Sequence, residues 1–254
     1  MKLLQKIKDK SEQKQKCLAV LLDPDKVEMK GFMQQVERYV AHGVDLFLVG
    51  GSLISGSQFY ILIEALRRQS QIPVVIFPGS NLHIHSEADG ILLLSLISGR
   101  NPELLIGQHV IAAPILKNSG LEILPTGYML IESGRSTTVS YISNTQPIPS
   151  DKDDIAVCTA MAGEMLGLGL IYLDGGSGAQ FPVPARMISA VRRNVKLPII
   201  VGGGITDANK AEMAWQAGAD FVVVGNGLED EPGLLEPILE VRNRLNKVRA
   251  QAIS

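Results

Sequence analysis

The stretch of this sequence best suited to chemistry is Tyr172-Leu173-Asp174-Gly175-Gly176-Ser177-Gly178, an apolar run that ends in an acid and bends at once through glycines. The Asp174 carboxylate can take a proton. The glycines let successive backbone N–H groups converge on an anion where a Cβ would obstruct them. Two junctions of the same kind follow, Ile199-Ile200-Val201-Gly202-Gly203-Gly204 and Phe221-Val222-Val223-Val224-Gly225-Asn226-Gly227. Such junctions in succession predict one shared phosphate site. The bland alternative for Asp174 is a side chain that only caps its own loop.

Two oxygen donors stand earlier in the chain. Asp23 follows the first apolar run in Leu22-Asp23-Pro24-Asp25-Lys26, and Ser52 follows the second in Gly50-Gly51-Ser52. A carboxylate and a hydroxyl at one edge suit Mg²⁺, which keeps several waters and takes one or two protein oxygens plus substrate phosphates. An Asp-Pro turn and a Gly-Gly-Ser turn also occur as plain punctuation. Tyr172 aims its phenol either at the site or into the core. Arg100, Lys117, Lys26 and Arg135 are candidate partners for a second, more highly charged phosphate group, although each taken singly reads more readily as a solvated surface charge. The four histidines, His42, His83, His85 and His109, lack the spacing of a zinc site.

Apolar runs of strand length recur at Leu18–Leu22, Leu46–Val49, Val74–Phe77, Ile91–Leu94, Ile123–Leu124, Leu170–Leu173, Ile199–Val201 and Phe221–Val224. Continuous apolar runs mark parallel strands buried on both faces. Helical spacing fills most gaps: Met33, Val36 and Val40; Ile61, Ala65 and Leu66; Met187, Ala190 and Val191. Thr206-Asp207 before Ala208 to Ala217 reads as an N-cap, Gly218 as the stop of that helix, and Ser150 with Asp153 as the opening of a helix running to Leu166. Two places are irregular. Phe77 to Gly90 holds no convincing crossover helix, and Tyr128 to Pro149, with a β-like run at Thr137–Ile142, resembles an extended loop or extra strands, the kind of insertion that forms a lid. The prediction is a single-domain α/β (β/α)8 TIM barrel over residues 1–254, modified around the third crossover. A Rossmann sheet fits less well, since no Gly-x-Gly-x-x-Gly follows the first strand. In a barrel the chemical groups belong on the loops after the strands, with phosphate after strands seven and eight.

A chain of 254 residues with 46% hydrophobic content can bury one large core. Its formal net charge of -2 supplies no general attraction for nucleic acid or an anionic membrane. Cys17 and Cys158 fall in apolar segments without metal-ligand spacing, so both are expected as buried reduced thiols. Apolar runs too short to span a bilayer, and a first segment without the continuous apolar centre of a signal peptide, predict a cytoplasmic protein. Leu3, Leu4 and Ile7 share a helical face that either closes the barrel's bottom or makes at most transient contact with a membrane surface.

Taken in order, Leu22-Asp23-Pro24-Asp25-Lys26, Val49-Gly50-Gly51-Ser52, Tyr172 to Gly178, Val201-Gly202-Gly203-Gly204-Ile205 and Val224-Gly225-Asn226 resemble the geranylgeranylglyceryl phosphate synthases, a family that includes bacterial heptaprenylglyceryl phosphate synthases. The likeness runs over nearly the whole chain. Leu21 stands where some bacterial members have lysine, which is similar to the archaeal-like subgroup, and Asp174 stands where the family often has glutamate. The resemblance implies a prenyltransferase that joins the free hydroxyl of sn-glycerol 1-phosphate to a polyprenyl diphosphate and releases diphosphate, in ether lipid synthesis. It also implies Mg²⁺ held by Asp23 and Ser52, and glycerol phosphate held by Tyr172, Leu173, Asp174, Gly175, Gly176, Ser177, Gly178, Gly203, Gly204, Gly225 and Asn226, with Asp174 as the base. Geranylgeranyl is the tail implied, with heptaprenyl or another length as the alternative. A sugar-phosphate isomerase or aldolase, or a noncatalytic phosphate-binding barrel, would use the same glycine loops. Apolar helix faces near Met213, Trp215 and Leu228 predict a homo-oligomer.

Overall fold

The computed structural model of the protein describes residues 2–225, 227–228 and 231–253. Eight parallel strands close into a barrel in sequence order: β1 (Cys17–Leu22), β2 (Leu46–Gly50), β3 (Val74–Phe77), β4 (Gly90–Leu96), β5 (Glu122–Leu130), β6 (Leu170–Asp174), β7 (Ile199–Gly202) and β8 (Phe221–Val224), with β8 pairing back onto β1. Helix α1 (Leu3–Glu12) precedes β1, and α2 (Phe32–Ala41) and α3 (Gln58–Gln69) follow β1 and β2. A short π-helical turn (Glu103–Gly107) runs into α4 (Gln108–Asn118) after β4. Helices α5 (Thr138–Ser143) and α6 (Asp153–Met165) follow β5, α7 (Ala185–Asn194) follows β6, α8 (Ala208–Ala217) follows β7, and α9 (Leu235–Ile253) ends the described chain. Residues 78–89, all described, connect β3 to β4 by turns alone, as the sequence predicts.

Alternation along each strand splits the core into two layers. Inward side chains, such as Ala19, Leu48, Val75, Leu92, Leu124, Tyr172, Ile200 and Val223, fill the barrel. Their neighbours, such as Val20, Val49, Ile76, Ile171, Leu173, Val201 and Val222, pack outward against the helices. Both faces of most strands are therefore buried, β4 and β5 being half-buried over part of their length, which is why the runs are continuously apolar.

The amino ends of the strands are closed by α1 and by three acids, of which Asp220 is buried and Asp45 and Asp89 are half-buried. Asp45 accepts from the Leu18 amide at 2.9 Å, from Lys10 at 2.6 Å and from Arg242 at 2.8 Å. Asp89 accepts from the Val74 amide at 2.8 Å and from Arg67 at 2.9 Å. Asp220 accepts from the Ile199 amide at 2.8 Å and from Arg192 at 3.1 Å. In each case the acid just before an even strand fastens the start of the odd strand before it, with a cation as counter-charge. Leu3 and Ile7 bury themselves in the barrel layer, and the amides of Leu3 and Leu4 donate to Glu122 at 2.6 and 2.8 Å, so α1 plugs the bottom.

Several expectations need correction. The β-like run at Thr137–Ile142 is helical, because Thr137 and Ser140 form a reciprocal capping box that outweighs the β-branched composition. Strand β5 extends to Leu130, well beyond Leu124, which takes Tyr128 out of the irregular segment and into the barrel. Ser150 does not cap α6; it bonds Glu132, and the helix begins at Asp153. On α2 the buried face is Phe32, Val36 and Tyr39, leaving Met33 and Val40 exposed, and Ile61 of α3 is exposed too. Cys17 is buried, and burial pushes its thiol up to about 12, whereas Cys158 is exposed. Trp215 and Leu228 lie in the core, with the Trp215 indole donating to the Cys17 carbonyl, and only Met213 of that trio is open to a partner. The cap predicted at Thr206-Asp207 is Asp207, which accepts from the Lys210 amide, and α8 stops at Gly218 as predicted.

Candidate active site

At the opposite end of the barrel the inward alternation delivers functional groups. Leu170, Tyr172 and Asp174 share one phase on β6, and Cys17, Ala19 and Leu21 on β1 lead in the same phase to Asp23. A polar cavity of about 200 Å³ opens between them. Asp23, Ser52, Tyr172, Asp174, Gly176, Ser177, Gly178, Gly203, Gly204 and Gly225 all line it, so donors from the first and second strand ends meet glycine loops from the sixth to the eighth. Leu173 points its side chain into the outer layer, and the Gly175 amide donates to the Gly202 carbonyl at 3.0 Å; neither lines the cavity. Asn226 lies outside the described residues.

Close backbone packing forms the glycine cradle. Gly203 has φ +80°, and a Cβ there would sit 2.7 Å from the amides of Gly175 and Gly176. A Cβ on Gly202 would meet the Tyr172 hydroxyl at 2.6 Å. Only glycine permits both approaches.

Asp174 is buried, and both of its oxygens are engaged. Oδ2 accepts from the Tyr128 hydroxyl at 2.5 Å, and Oδ1 accepts from the Gly176 amide at 2.8 Å. Burial pushes its carboxyl above the usual range, while the Tyr128 and Gly176 hydrogen bonds pull it part of the way back. Burial, followed by the Asp174 charge, pushes the phenols of Tyr128 and Tyr172 well above theirs, so Tyr128 remains a donor.

Asp23 and Ser52 are brought to the same cavity by a tie between their loops. Asp25 accepts from the Ser55 amide at 2.7 Å, the Ser55 hydroxyl at 2.8 Å and the Gly56 amide at 2.8 Å, and the Ser55 bonds, with a smaller share from Gly56, hold its carboxyl below the usual range. Asp23 receives the Asp25 amide at 3.1 Å, and its other oxygen lies 3.6 Å from the Lys26 ammonium. No cluster of three or more His, Cys, Asp or Glu side chains that could hold a metal occurs among the described residues. One carboxylate and one hydroxyl fit a hard cation that takes its remaining ligands from water and phosphate, and they do not fit a permanently caged ion.

A second cavity, of about 240 Å³, adjoins the first and shares Ser52 and Phe77 with it. Leu94, Leu96, Leu104, Ala112, Leu116 and Val139 give it an apolar wall. It also borders residues 78–81 and Ile84, the connection that carries no crossover helix. The wall between the cavities is aromatic. Phe77, Tyr128 and Tyr172 pack edge to face with centroids 5.9, 5.6 and 5.6 Å apart.

Of the candidate cations, Lys26 lines the polar cavity, and an Arg135 nitrogen lies 2.7 Å from where a Gly178 Cβ would be. Arg100 lines a separate groove with Asn144 and Thr145, and Lys117 sits in the last turn of α4, away from the strand ends. The sequence reading missed Tyr128. Its signal is phase: Leu124, Thr126, Tyr128 and Leu130 alternate with the outward Ile123, Met129 and Ile131 once β5 is read at full length.

Fold and site together define a (β/α)8 barrel with a polar cradle and an apolar annex at the carboxyl ends of its strands. The profile of the PcrB family matches residues 10–242. The geranylgeranylglyceryl phosphate synthase of Spirosoma linguale is 60% identical over 237 residues, covering 93% of this chain and 95% of that one. The enzyme of the same name from Korarchaeum cryptofilum is 38% identical over 228 residues, covering 90% of this chain and 93% of that one. Among solved structures, the (S)-3-O-geranylgeranylglyceryl phosphate synthase of Thermoplasma acidophilum, in complex with its substrate sn-glycerol-1-phosphate, superposes with a TM-score of 0.88 at 31% identity, covering 95% and 98% of the two chains. The chain belongs to the PcrB family, that of the geranylgeranylglyceryl phosphate synthases, and is thereby a prenyltransferase.

Proposed function

We propose that the protein joins sn-glycerol 1-phosphate to geranylgeranyl diphosphate in a Mg²⁺-dependent reaction that makes an ether lipid precursor. The observation that carries this reading is the abutment of a glycine-lined polar cavity and an apolar one, with Ser52 and Phe77 common to both. Glycerol phosphate rests in the polar cavity. The Gly175 and Gly176 amides are engaged within the chain, so the phosphate falls to the later turns, Ser177-Gly178, Gly203-Gly204 and Gly225-Asn226. The prenyl tail lies in the apolar cavity, with its diphosphate toward Asp23 and Ser52 and with Lys26 and Arg135 at the rim.

The glycerol hydroxyl oxygen then bonds to the prenyl C1. The C1–O bond to diphosphate breaks, the leaving group keeps the electron pair, and the hydroxyl proton passes to Asp174. Mg²⁺, when bound by Asp23 and Ser52, neutralises the charge that grows on the departing diphosphate. Holding the phosphate on fixed backbone amides removes much of the entropic cost of bringing two substrates together.

The protein is proposed to work in the cytoplasm, meeting membranes transiently. No helix among the described residues is long and apolar enough to cross a membrane. A homo-oligomer is also proposed, and the exposed Val110, Ile111 and Ile115 of α4 offer it a better surface than the Met213 region. Incubation with Mg²⁺, sn-glycerol 1-phosphate and geranylgeranyl diphosphate should yield geranylgeranylglyceryl phosphate by mass spectrometry. Failure with every prenyl length would end the proposal, and a preference for heptaprenyl diphosphate would change only the tail.

A further inference from the structure

Tyr128 touches both halves of the site. Its hydroxyl donates to Asp174 Oδ2 at 2.5 Å, while its ring lines the apolar cavity and packs against Phe77 and Tyr172. Tyr128 is buried, as is Asp174, so the bond lies largely out of solvent. With Gly176 holding Oδ1, the phenol fixes how the carboxylate is turned, and the oxygen it bonds keeps a lone pair for the incoming hydroxyl.

We propose that Tyr128 is a positioning residue of the reaction: its hydroxyl orients Asp174 in the polar cavity while its ring forms the wall where the allylic C1 meets the glycerol oxygen. The inference rests on the functional reading above. An aromatic face at that point also favours the positive charge that builds on C1 as diphosphate departs, because the ring's quadrupole is negative on its face. The electron pair leaves with diphosphate and the proton goes to Asp174, so Tyr128 itself is neither consumed nor ionised.

Two substitutions separate the hydroxyl from the ring. In Tyr128→Phe the ring and its packing stay, and Asp174 loses a hydrogen bond that favours its charged form. The kcat should fall about tenfold at neutral pH. The acid limb of the kcat profile should move to higher pH, and the KM for glycerol phosphate, set by backbone amides on other loops, should hold. The groups that face Asp174 are Tyr128 and Gly176, with Tyr172, Asp23 and Lys26 lining the same cavity, and none but Tyr128 changes in this variant. In Tyr128→Leu the ring goes too, and kcat should fall further, with a higher KM for the prenyl diphosphate.

The wild-type protein in the same assay separates the two claims. If it makes no ether with any prenyl diphosphate, the functional reading falls and this inference with it. If it is active, a Tyr128→Phe enzyme with wild-type kcat and an unmoved acid limb overturns the inference alone. A drop in Tm with the limb unmoved overturns it equally, since that is what a purely structural tyrosine would give. A Tyr128→Leu enzyme no slower than Tyr128→Phe overturns the role of the ring.

Discussion

The two ends of the barrel use the same residue type for opposite purposes. At the amino ends, Asp45, Asp89 and Asp220 each hold a strand amide and each has an arginine, Arg242, Arg67 or Arg192, as counter-charge. At the carboxyl ends, Asp174 is buried, as Asp220 is, while Asp45 and Asp89 are half-buried, yet the partners of Asp174 are a phenol and an amide, with no cation bonded to it among the described residues. A paired acid costs the fold little and fastens it, whereas an acid desolvated without a counter-charge is a liability unless a reaction uses it. The contrast separates the aspartates that fasten the scaffold from Asp174, the one proposed to do chemistry.

Substitutions at the two ends should therefore separate stability from turnover. The largest effect belongs to Asp174→Asn, which removes the proton acceptor and should lower kcat by about 10²- to 10⁴-fold. The same change should raise Tm at neutral pH. The folded carboxyl titrates above its unfolded value, so the stability it gives is present at low pH and is lost as pH rises through the folded value. A lowered Tm would break the contrast. For the same reason the acid limb of activity should lie above the range of an ordinary carboxylate.

Asp23→Asn comes next and should abolish Mg²⁺-dependent turnover. Titrating Mg²⁺ by calorimetry in the presence of a prenyl diphosphate should show weakened binding, and unchanged affinity would remove Asp23 from the metal site. At the other end, Asp220→Ala should cost about 2–3 kcal/mol by denaturant unfolding while leaving kcat in place, because Ile199 and Arg192 lose their acceptor. Gly203→Ala should cost about 1–3 kcal/mol and raise the KM for glycerol phosphate, since a residue with a Cβ at φ +80° would press on the amides of Gly175 and Gly176. Smallest in energy is Ala112→Phe, which should fill the apolar cavity and shift the product series to shorter tails.

The polar half of the site was legible in the sequence because its chemistry is local. A strand that ends in an acid or in glycines announces both the turn and the group that reaches the cavity, as at Asp174, Gly203 and Asp23, and strand ends in a barrel converge by topology. The missing crossover helix was legible too, from the polar stretch after Phe77. The apolar half was not. Its wall joins Leu94 of β4, Ala112 of α4 and Val139 of α5, residues far apart in the chain whose meeting depends on how the helices settle. Tyr128 was hidden by the shortness assigned to β5, whose Pro125, Thr126 and Gly127 interrupt an apolar run that the barrel nevertheless continues. The face of α2 was misjudged because Phe32 and Tyr39, with Val36, outweigh Met33 and Val40 for burial.

The most direct test is a crystal structure with sn-glycerol 1-phosphate, Mg²⁺ and an unreactive thio analogue of geranylgeranyl diphosphate. The account predicts phosphate on the Gly178 and Gly203-Gly204 turns, the tail between Leu94 and Ala112, and the analogue's C1 beside Tyr128, facing the glycerol hydroxyl. A tail bound anywhere that leaves C1 out of reach of that hydroxyl would contradict it.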